Sequence, residues 1–516
     1  MVRVTTAAQA AAIDGRAIAA GVDSWSLMTA AGTAAAQLVA DRFAPELAGG
    51  VIIYAGAGNN GGDGYVVAKM LSAAGFGVGV VAVGEPSTAD AKRAREELPA
   101  AVRVGPVRVG LDAPAEGAVR GIVLDALLGT GATGAPREAI AEAVAAINAR
   151  RSAGATVVAL DLPTGVDANT GVAAGGFVRA DLTVTFGTVK RGLLRNRGAS
   201  GAIACVDIGL GDAANDPTAP ELLTLAKALA SVPRIGSSAN KGTRRRLLVV
   251  GGSAGMAGAS ILAARGALRS SIGMVKLCVE QASVAAVQAA EPTAMTVAWP
   301  ADDEVLAEYL RWAHCVLIGP GLGLAPASRE LAVRVLKAWN GPVVVDADAL
   351  NAFEGNAERL GELLAGRPAV ITPHPLEAER LAGLKAADVD SGRFEAASRL
   401  ALRVKATVLL KGVPTVVSDG ARTVVVAAGN PVLATGGSGD VLGGVVATLL
   451  AQTGDAMVSA GSAALVHGRA ADIAARGGIR GTTLDDVVAA LREAWHAPAA
   501  LVHPVQLELP AVGESR

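Results

Sequence analysis

The chain has 516 residues, 51% of them hydrophobic but only 3% aromatic, and 64 are glycine. That is about 12% glycine against a usual 7% or so. This length holds two to four domains with aliphatic cores and excludes a disordered chain. Lys+Arg 46 against Asp+Glu 47 leaves a net charge of -1, so there is no polybasic face to bind nucleic acid by counterion release.

Three cysteines (Cys205, Cys278, Cys315) lie far apart without C-x-x-C spacing. Their odd number argues for small buried hydrophobes in a reducing compartment rather than a disulfide framework. None of the five histidines has a second histidine at metal-ligand spacing, so no zinc is expected. The first residues lack a signal-peptide core, and no window approaches 18 uninterrupted apolar residues. A soluble cytoplasmic protein with no membrane partner is expected.

In chain order, short apolar runs recur at Val51–Ala55, Val78–Val83, Ile122–Ala126, Val157–Leu160, Leu182–Phe186 and Ile203–Val206, each followed by a loop and an Ala-rich helical stretch. They read as strands of a parallel sheet covered on both sides. Residues 212–240 read as a linker that holds one helical stretch before Val232-Pro233. A second series follows at Leu247–Val250, Met274–Val279, Cys315–Gly319, Val343–Asp346, Ala369–Thr372 and Val408–Leu410. Val416–Val417 and Thr423–Ala427 form a predicted edge hairpin. The predicted fold is α/β in two tandem domains, residues 1–211 and 241–500, with a mobile tail at 501–516.

After the first strand, Gly56, Gly58 and Gly61 form a G-x-G-x-x-G at a strand-to-helix turn, and Glu85 lies near where a Rossmann fold has its ribose acid. The loop chemistry opposes a dinucleotide reading. Asn59 and Asn60 add side-chain amides, and Asp63 places at the helix start a carboxylate that repels phosphate. Such a set suits a hydroxylated heterocycle or a hard cation; alternatively, Asp63 is only a helix N-cap. Asp125 and Asp161 end later strands, where open α/β sheets bind ligands. Lys190, after the strand that starts at Leu182, could add a cation to that edge; taken alone it reads as a solvated surface lysine.

Asn-Asn-Gly-Gly-Asp-Gly, Asp-Ala-Leu-Leu-Gly-Thr-Gly and Leu-Asp-Leu-Pro-Thr-Gly-Val-Asp resemble the NAD(P)HX epimerase family, the YjeF N-terminal domain, over most of residues 1–211. The resemblance implies that Asn59, Asn60, Gly61, Gly62, Asp63, Gly129, Thr130, Gly131, Ala132, Thr133, Gly134, Ala135 and Asp161 contact the hydrated nicotinamide nucleotide. It also implies that Asn60, Asp125 and Thr164 hold a potassium ion, and hard cations take oxygen ligands of this kind.

In the second domain, Gly251–Ala259 lacks the Gly-Lys-Ser/Thr of a Walker A loop. Ala434-Thr435-Gly436-Gly437-Ser438-Gly439-Asp440 leads into an apolar helix. Glycine amides at a helix N-terminus make an anion hole, and Asp440 there is placed to take a hydroxyl proton during phosphoryl transfer. Lys411 to Thr415, His374 between two prolines, and Gly319 to Gly323 also follow strands. These motifs resemble the ribokinase-like superfamily, closely its NAD(P)H-hydrate dehydratase branch, over about residues 240–495. The resemblance implies that Ala259, Gly321, Gly323, His374 and Asp440 contact the hydrate, and that Lys411, Gly412, Val413, Pro414, Thr415 and Gly439 contact the adenine nucleotide. Two positions depart from the family pattern: Asn240 where a histidine is usual, and Leu376 where a glycine is common.

The expectation is a bifunctional metabolite-repair enzyme and homo-oligomer. Asp161 would serve epimerisation at C6 with K⁺ in the site, and Asp440 would serve ADP-dependent dehydration with Mg²⁺ accompanying the nucleotide. The alternatives are a ribokinase-type small-molecule kinase fused to a Rossmann nucleotide-binding domain, or a module that binds without catalysis.

Overall fold

A computed structural model describes residues 1–105, 121–173, 175–497 and 501–512. Two compact units divide between residues 221 and 222, and the described residues 501–512 belong to the first.

The first unit is built on β1 (Val51–Ala55), β2 (Val78–Ala82), β3 (Arg103–Gly105), β4 (Ile122–Ala126), β5 (Thr156–Leu160), β6 (Leu182–Phe186) and β7 (Ala202–Val206). These run parallel in the order β3-β2-β1-β4-β5-β6-β7. Successive strand side chains point to opposite faces, and both faces are apolar. Ile53, Leu124 and Val158 pack on one side with Leu38 and Val39 of the helix Ser24–Arg42 and Val67 of the helix Asn59–Ala73, while Tyr54, Val123 and Val157 pack with Ala143, Val144 and Ile147 of the helix Glu138–Ser152 on the other. That two-sided burial is why the strands read as continuous apolar runs. The helices that matter below are α1 (Ala7–Ala19), α2 (Ser24–Arg42) and α3 (Asn59–Ala73). The strand order reverses between β1 and β4, the switch point at which such sheets bind ligands.

The second unit repeats this plan. Strands β8 (Arg246–Val250), β9 (Met274–Val279), β10 (Met295–Ala298), β11 (Cys315–Ile318), β12 (Val343–Val345), β13 (Ala369–Ile371) and β14 (Thr407–Leu410) are parallel, in the order β10-β9-β8-β11-β12-β13-β14. The hairpin β15 (Thr415–Ser418) and β16 (Thr423–Val426) extends the sheet antiparallel beyond β14. Helices α4 (Ala257–Arg269), α5 (Ser438–Thr453), α6 (Ala456–Ala474) and α7 (Leu484–Ala494) supply much of the core beside it. All three cysteines are buried, and burial pushes the thiols of Cys205 and Cys278 up to about 12. Among the described residues no helix is long and apolar enough to cross a membrane.

The segment read as a linker carries a helical stretch, as expected, over Leu225–Ser231, which buries Ala228. One expectation about chain organisation is corrected. The tail is not free: Val505–Leu509 is a strand that pairs antiparallel with β7, the Asp207 N–H donates to the Pro504 carbonyl at 2.8 Å, and Glu508 pairs with Arg42. Residues 513–516 lie outside the described residues. This strand covers the open edge of β7, where unpaired backbone groups would otherwise face water or a second chain. Truncation before Leu501 is therefore expected to lower the melting temperature of the first unit. A loss of roughly 2 kcal/mol corresponds to about 4–8 °C in a domain of this size. Differential scanning calorimetry checks this, with the transition of the second unit unchanged.

Candidate active sites

After β1, Gly56 and Gly58 turn the chain into α3. A β-carbon on Gly56 would lie 2.0 Å from the Leu127 carbonyl, and one on Gly61 would lie 1.9 Å from the Gly56 carbonyl. Only hydrogen fits at either place, so the glycines set the start of α3 directly against β1 and the loop after β4. Gly58 is the N-cap, which corrects the cap reading of Asp63. Asp63 is the fifth residue of the helix and faces a cleft of about 560 Å³.

The cleft gathers Asn59, Asn60 and Asp63 from α3, Gly129, Thr130, Gly131 and Ala132 from the loop after β4, Asp161 after β5, and Lys190. Asp14 of α1, which no sequence motif marked, lines it too. Five expected substrate residues are not among its walls. Gly61 and Gly62 serve packing, since a β-carbon on Gly62 would strike Met28 at 2.5 Å, and Thr133, Gly134 and Ala135 lie beyond the lining loop. Glu85 pairs with Arg95 on the surface and does not reach the cleft, so the Rossmann ribose acid is missing.

Asp161 sits at φ +63°, a backbone conformation that side-chain-bearing residues adopt at a cost of order 1–3 kcal/mol and mostly at functional sites. Its N–H donates to the Val184 carbonyl, and its Oδ2 accepts from the Thr130 N–H at 3.3 Å. Its Oδ1 accepts from Lys190 Nζ at 2.5 Å. Lys190 is not the solvated residue expected: it is 3% exposed, and Nζ also donates to Thr185 Oγ1 and to the carbonyls of Phe186 and Thr188 at 3.1–3.2 Å. Among the described residues Asp63 has no such counter-ion at hydrogen-bonding distance. Burial, reinforced by the charge of Asp161, pushes its carboxyl well above the ordinary carboxylate range.

Beside this pair, Asp125 is fully buried. Its carboxylate accepts from the N–H and Oγ1 of Thr164, at 2.7 and 2.8 Å, and from the Leu127 N–H. Burial still raises it to about 6 against those three hydrogen bonds. Asn60 Nδ2 donates to the Leu128 carbonyl at 3.1 Å, which leaves Asn60 Oδ1 buried without a partner.

In the second unit, α5 begins at Ser438 after Gly437, at φ +90°. Gly439 and Asp440 lie in its first turn, where helix amides and dipole favour anions. A β-carbon on Gly439 would lie 3.3 Å from Lys411 Nζ. Lys411 donates to Asp346 Oδ1 at 3.1 Å and pairs with Glu377 at 3.5 Å. These two carboxylates hold its ammonium above its ordinary value although burial opposes this. Burial first, then repulsion from Asp346, lifts Asp440 to about 7. Asp346 and Glu377 went unmarked in the sequence, although Asp346 follows the same end-of-strand rule that marked Asp125 and Asp161. His467 of α6 also escaped it; burial and Lys411 push its imidazole down to about 4, and its Nε2 has no partner.

The expected hydrate contacts Ala259, Gly321 and Gly323 do converge. A β-carbon on Gly321 would lie 2.9 Å from that of Ala259, and the Gly323 N–H donates to Asp348 Oδ2. His374 is the N-cap of the helix Pro375–Ala382, its Nδ1 accepting from the N–H groups of Leu376 and Glu377. That fixes the tautomer with its hydrogen on Nε2, which lies 3.5 Å from Glu377 Oε1. Leu376 is exposed, with its N–H already satisfied by His374. Asn240 closes its own turn by accepting from the N–H groups of Gly242 and Thr243. In the Lys411–Thr415 loop, Gly412 backs onto the buried guanidinium of Arg393, which donates to the Pro414 carbonyl; Val413 is exposed, and Thr415 Oγ1 donates to the Gly412 carbonyl.

Residues 24–192 match the family described as YjeF-related protein N-terminus, and residues 247–492 match NAD(P)H-hydrate dehydratase. The bifunctional NAD(P)H-hydrate repair enzyme of Escherichia coli is 35% identical over 92% of this chain and 90% of its own length. That of Salinibacter ruber is 36% identical over 88% of each. Among solved structures, an ADP/ATP-dependent NAD(P)H-hydrate dehydratase from Bacillus subtilis, co-crystallised with ATP/Mg²⁺, covers 54% of this chain and 98% of its own at 25% identity, with a TM-score of 0.46. With acids gathered beyond the carboxyl ends of the strands in each unit and relatives that span nearly its whole length, the chain belongs to the family of bifunctional NAD(P)H-hydrate repair enzymes.

Proposed function

We propose that the first unit interconverts the R and S forms of NADHX and NADPHX at C6, and that the second dehydrates the S form to NAD(P)H at the expense of ADP. The observation that carries this reading is the pairing in each cleft of a differently tuned acid with a lysine-held carboxylate: Asp63 beside Asp161–Lys190, and Asp440 beside Lys411–Asp346.

In the hydrate, C6 bears a hydroxyl and is bonded to ring N1, so inversion requires a bond at C6 to break and re-form on the other face. Asp161, held in place and charge-compensated by Lys190, takes the hydroxyl proton as the C6–N1 bond opens to an aldehyde. Asp63, whose protonated form burial favours, gives its proton to N1. Both transfers reverse once the aldehyde presents its other face. Asp161 is paired directly with a buried lysine and Asp63 is not, a difference in environment that assigns the base and the acid. All the donors of Lys190 point at protein acceptors, so it acts as a positioning residue.

The oxygens of Asp125, Thr164 and Asn60 fit a potassium ion: among the described residues the buried Asp125 carboxylate has no cationic partner and the buried Asn60 amide oxygen has no donor. A bound cation would supply a fixed positive charge that keeps the loop after β4 in register with α3.

In the second unit, Asp440 takes the proton of the 6-hydroxyl as its oxygen attacks the β-phosphorus of ADP, and the bond to the α,β-bridging oxygen breaks to release AMP. The amides of Gly437 to Gly439 receive the transferring phosphoryl, and Lys411 lies against the same turn. Mg²⁺ accompanies the nucleotide. Phosphate then leaves C6, a proton leaves C5, and the ring double bond is restored. A base near 7 is matched to neutral operation.

Asp161→Asn and Asp63→Asn are each expected to slow epimer interconversion by about 10²–10⁴-fold while leaving dehydration of the purified S form intact; chromatography of the two epimers and absorbance of the reduced ring measure the two steps. Asp440→Asn should do the opposite.

The rate of dehydration should fall as pH drops through about 7, because Asp440 is then protonated. Lys411→Met removes the charge that holds this carboxyl down, so the midpoint of the kcat profile should move to higher pH. The raised value also means that stability contributed by neutral Asp440 is full at acid pH and lost as pH rises through about 7. Asp440→Asn should therefore melt higher than the parent at pH 8 despite its inactivity.

Potassium chloride, against tetramethylammonium chloride at equal ionic strength, should raise the melting temperature of the first unit, and Asp125→Ala should abolish that difference.

A further inference from the structure

Helices α4 and α5 pack so closely that a β-carbon on Gly444 would lie 2.0 Å from the Ala263 carbonyl. Their N-terminal ends carry Ala259 and Asp440. Their C-terminal ends, about 18 Å further along at 1.5 Å per residue, open into a second cleft of about 540 Å³ that none of the residues discussed above enters. The turn after α4, the segment after Ser231 and the end of α7 complete its walls.

Three arginines from three different segments, Arg234, Arg269 and Arg492, line this cleft, and no acidic side chain does among the described residues. Nearby arginines of this unit are paired: Arg265 with Glu291 and Asp485, and Arg476 with Glu493. Among the described residues Arg234, Arg269 and Arg492 make neither an ion pair nor a hydrogen bond. Like charges gathered on one concave surface repel unless an anion joins them. The guanidinium fork matches the oxygens of phosphate two at a time.

Two neutral donors in the wall are also unspent. Ser270 is 4% exposed and its Oγ has no partner; the indole N–H of Trp495 is buried without one. Buried donors are rarely left so. The turn that presents Ser270 is fixed: Ser271 sits at φ +72°, and its carbonyl accepts from Arg244 Nε at 3.0 Å and Gln452 Nε2 at 3.2 Å. The remaining wall is apolar, with Leu449 and the Trp495 ring prominent. A volume of this size lies in the range of small-molecule sites.

We propose that this cleft binds a small phosphomonoester, its dianionic group held by the three arginines and Ser270 and its organic body against Leu449 and Trp495. It is a site separate from both reaction centres and takes a ligand that is not consumed there.

The test is isothermal titration of the full chain with phenyl phosphate, phenol and inorganic phosphate. Phenyl phosphate should bind at one saturable site at least tenfold more tightly than either of the others. Arg269→Gln/Arg492→Gln should weaken it at least tenfold while keeping the parent's kcat and KM for ADP, which shows that the nucleotide site is intact. Trp495→Phe, which removes only the indole N–H, should weaken it less. Undiminished binding in the double arginine variant, equal binding of phenol or of inorganic phosphate, or no binding of phenyl phosphate would each overturn the proposal. Should the double variant not fold, the single variants Arg269→Gln and Arg492→Gln carry the same comparison.

Discussion

At Gly56 and Gly61 in the first unit, and again at Gly251 and Gly319 in the second, a β-carbon would come within 1.8–2.1 Å of a backbone carbonyl from a neighbouring segment. Backbone touches backbone at all four places, and everything catalytic is hung from those contacts. They bring the strand ends and the start of α3, or the loops around Ala259 and Gly321, close enough for short side chains to meet. An aspartate reaches only a few ångströms from its own backbone. If the loops stood one side chain further apart, Asp161 could not meet the Thr130 amide, nor Gly321 lie against Ala259. The glycine excess and the scarcity of aromatics express this one requirement: recognition by amides and short polar groups needs a backbone that can approach.

Packing carboxylates this densely creates an electrostatic problem, and the two units solve it by similar means. Each buries a lysine in direct contact with one acid, Lys190 with Asp161 and Lys411 with Asp346, and leaves another acid outside that pair. Removing two opposite charges from water is compensated only when every remaining donor is satisfied, and Lys190 meets that condition with four acceptors. The acids outside those pairs, Asp63 and Asp440, feel the same lysines only at a distance, and burial together with the neighbouring negative charge pushes them up. Proton transfer near neutral pH follows from this inequality rather than from any one residue.

Much of this was legible in the sequence because burial on both faces of a parallel sheet leaves a plain mark. Val51–Ala55, Ile122–Ala126 and Leu182–Phe186 are strands over the same residues that their apolar runs predicted. Aspartates closing such runs pointed to Asp125 and Asp161. What failed to show depends on partners remote in the chain. Lys190 looks like any surface lysine until β5 and β6 bring its ammonium to Asp161, 29 residues away. Asp14 sits on a helix with nothing local to distinguish it. The left-handed backbone of Asp161 leaves no trace in a non-glycine residue.

The C-terminal strand is the sharpest such case. Its five residues alternate weakly and follow a proline, and their partner β7 lies roughly 300 positions earlier, so local pattern offers only a tail. Yet that strand closes the sheet that carries the epimerase cleft. Because the chain is made from its N-terminus, β7 must stay an open edge until the whole second unit has been synthesised. An exposed parallel edge is prone to pair with other chains. The first unit can assemble Asp125, Asp161 and Lys190 from its own residues, but it cannot cover its last strand without the end of the chain. Fusion of the two activities in one polypeptide thus has a structural consequence besides proximity: the first sheet is completed only in a chain that already carries the second.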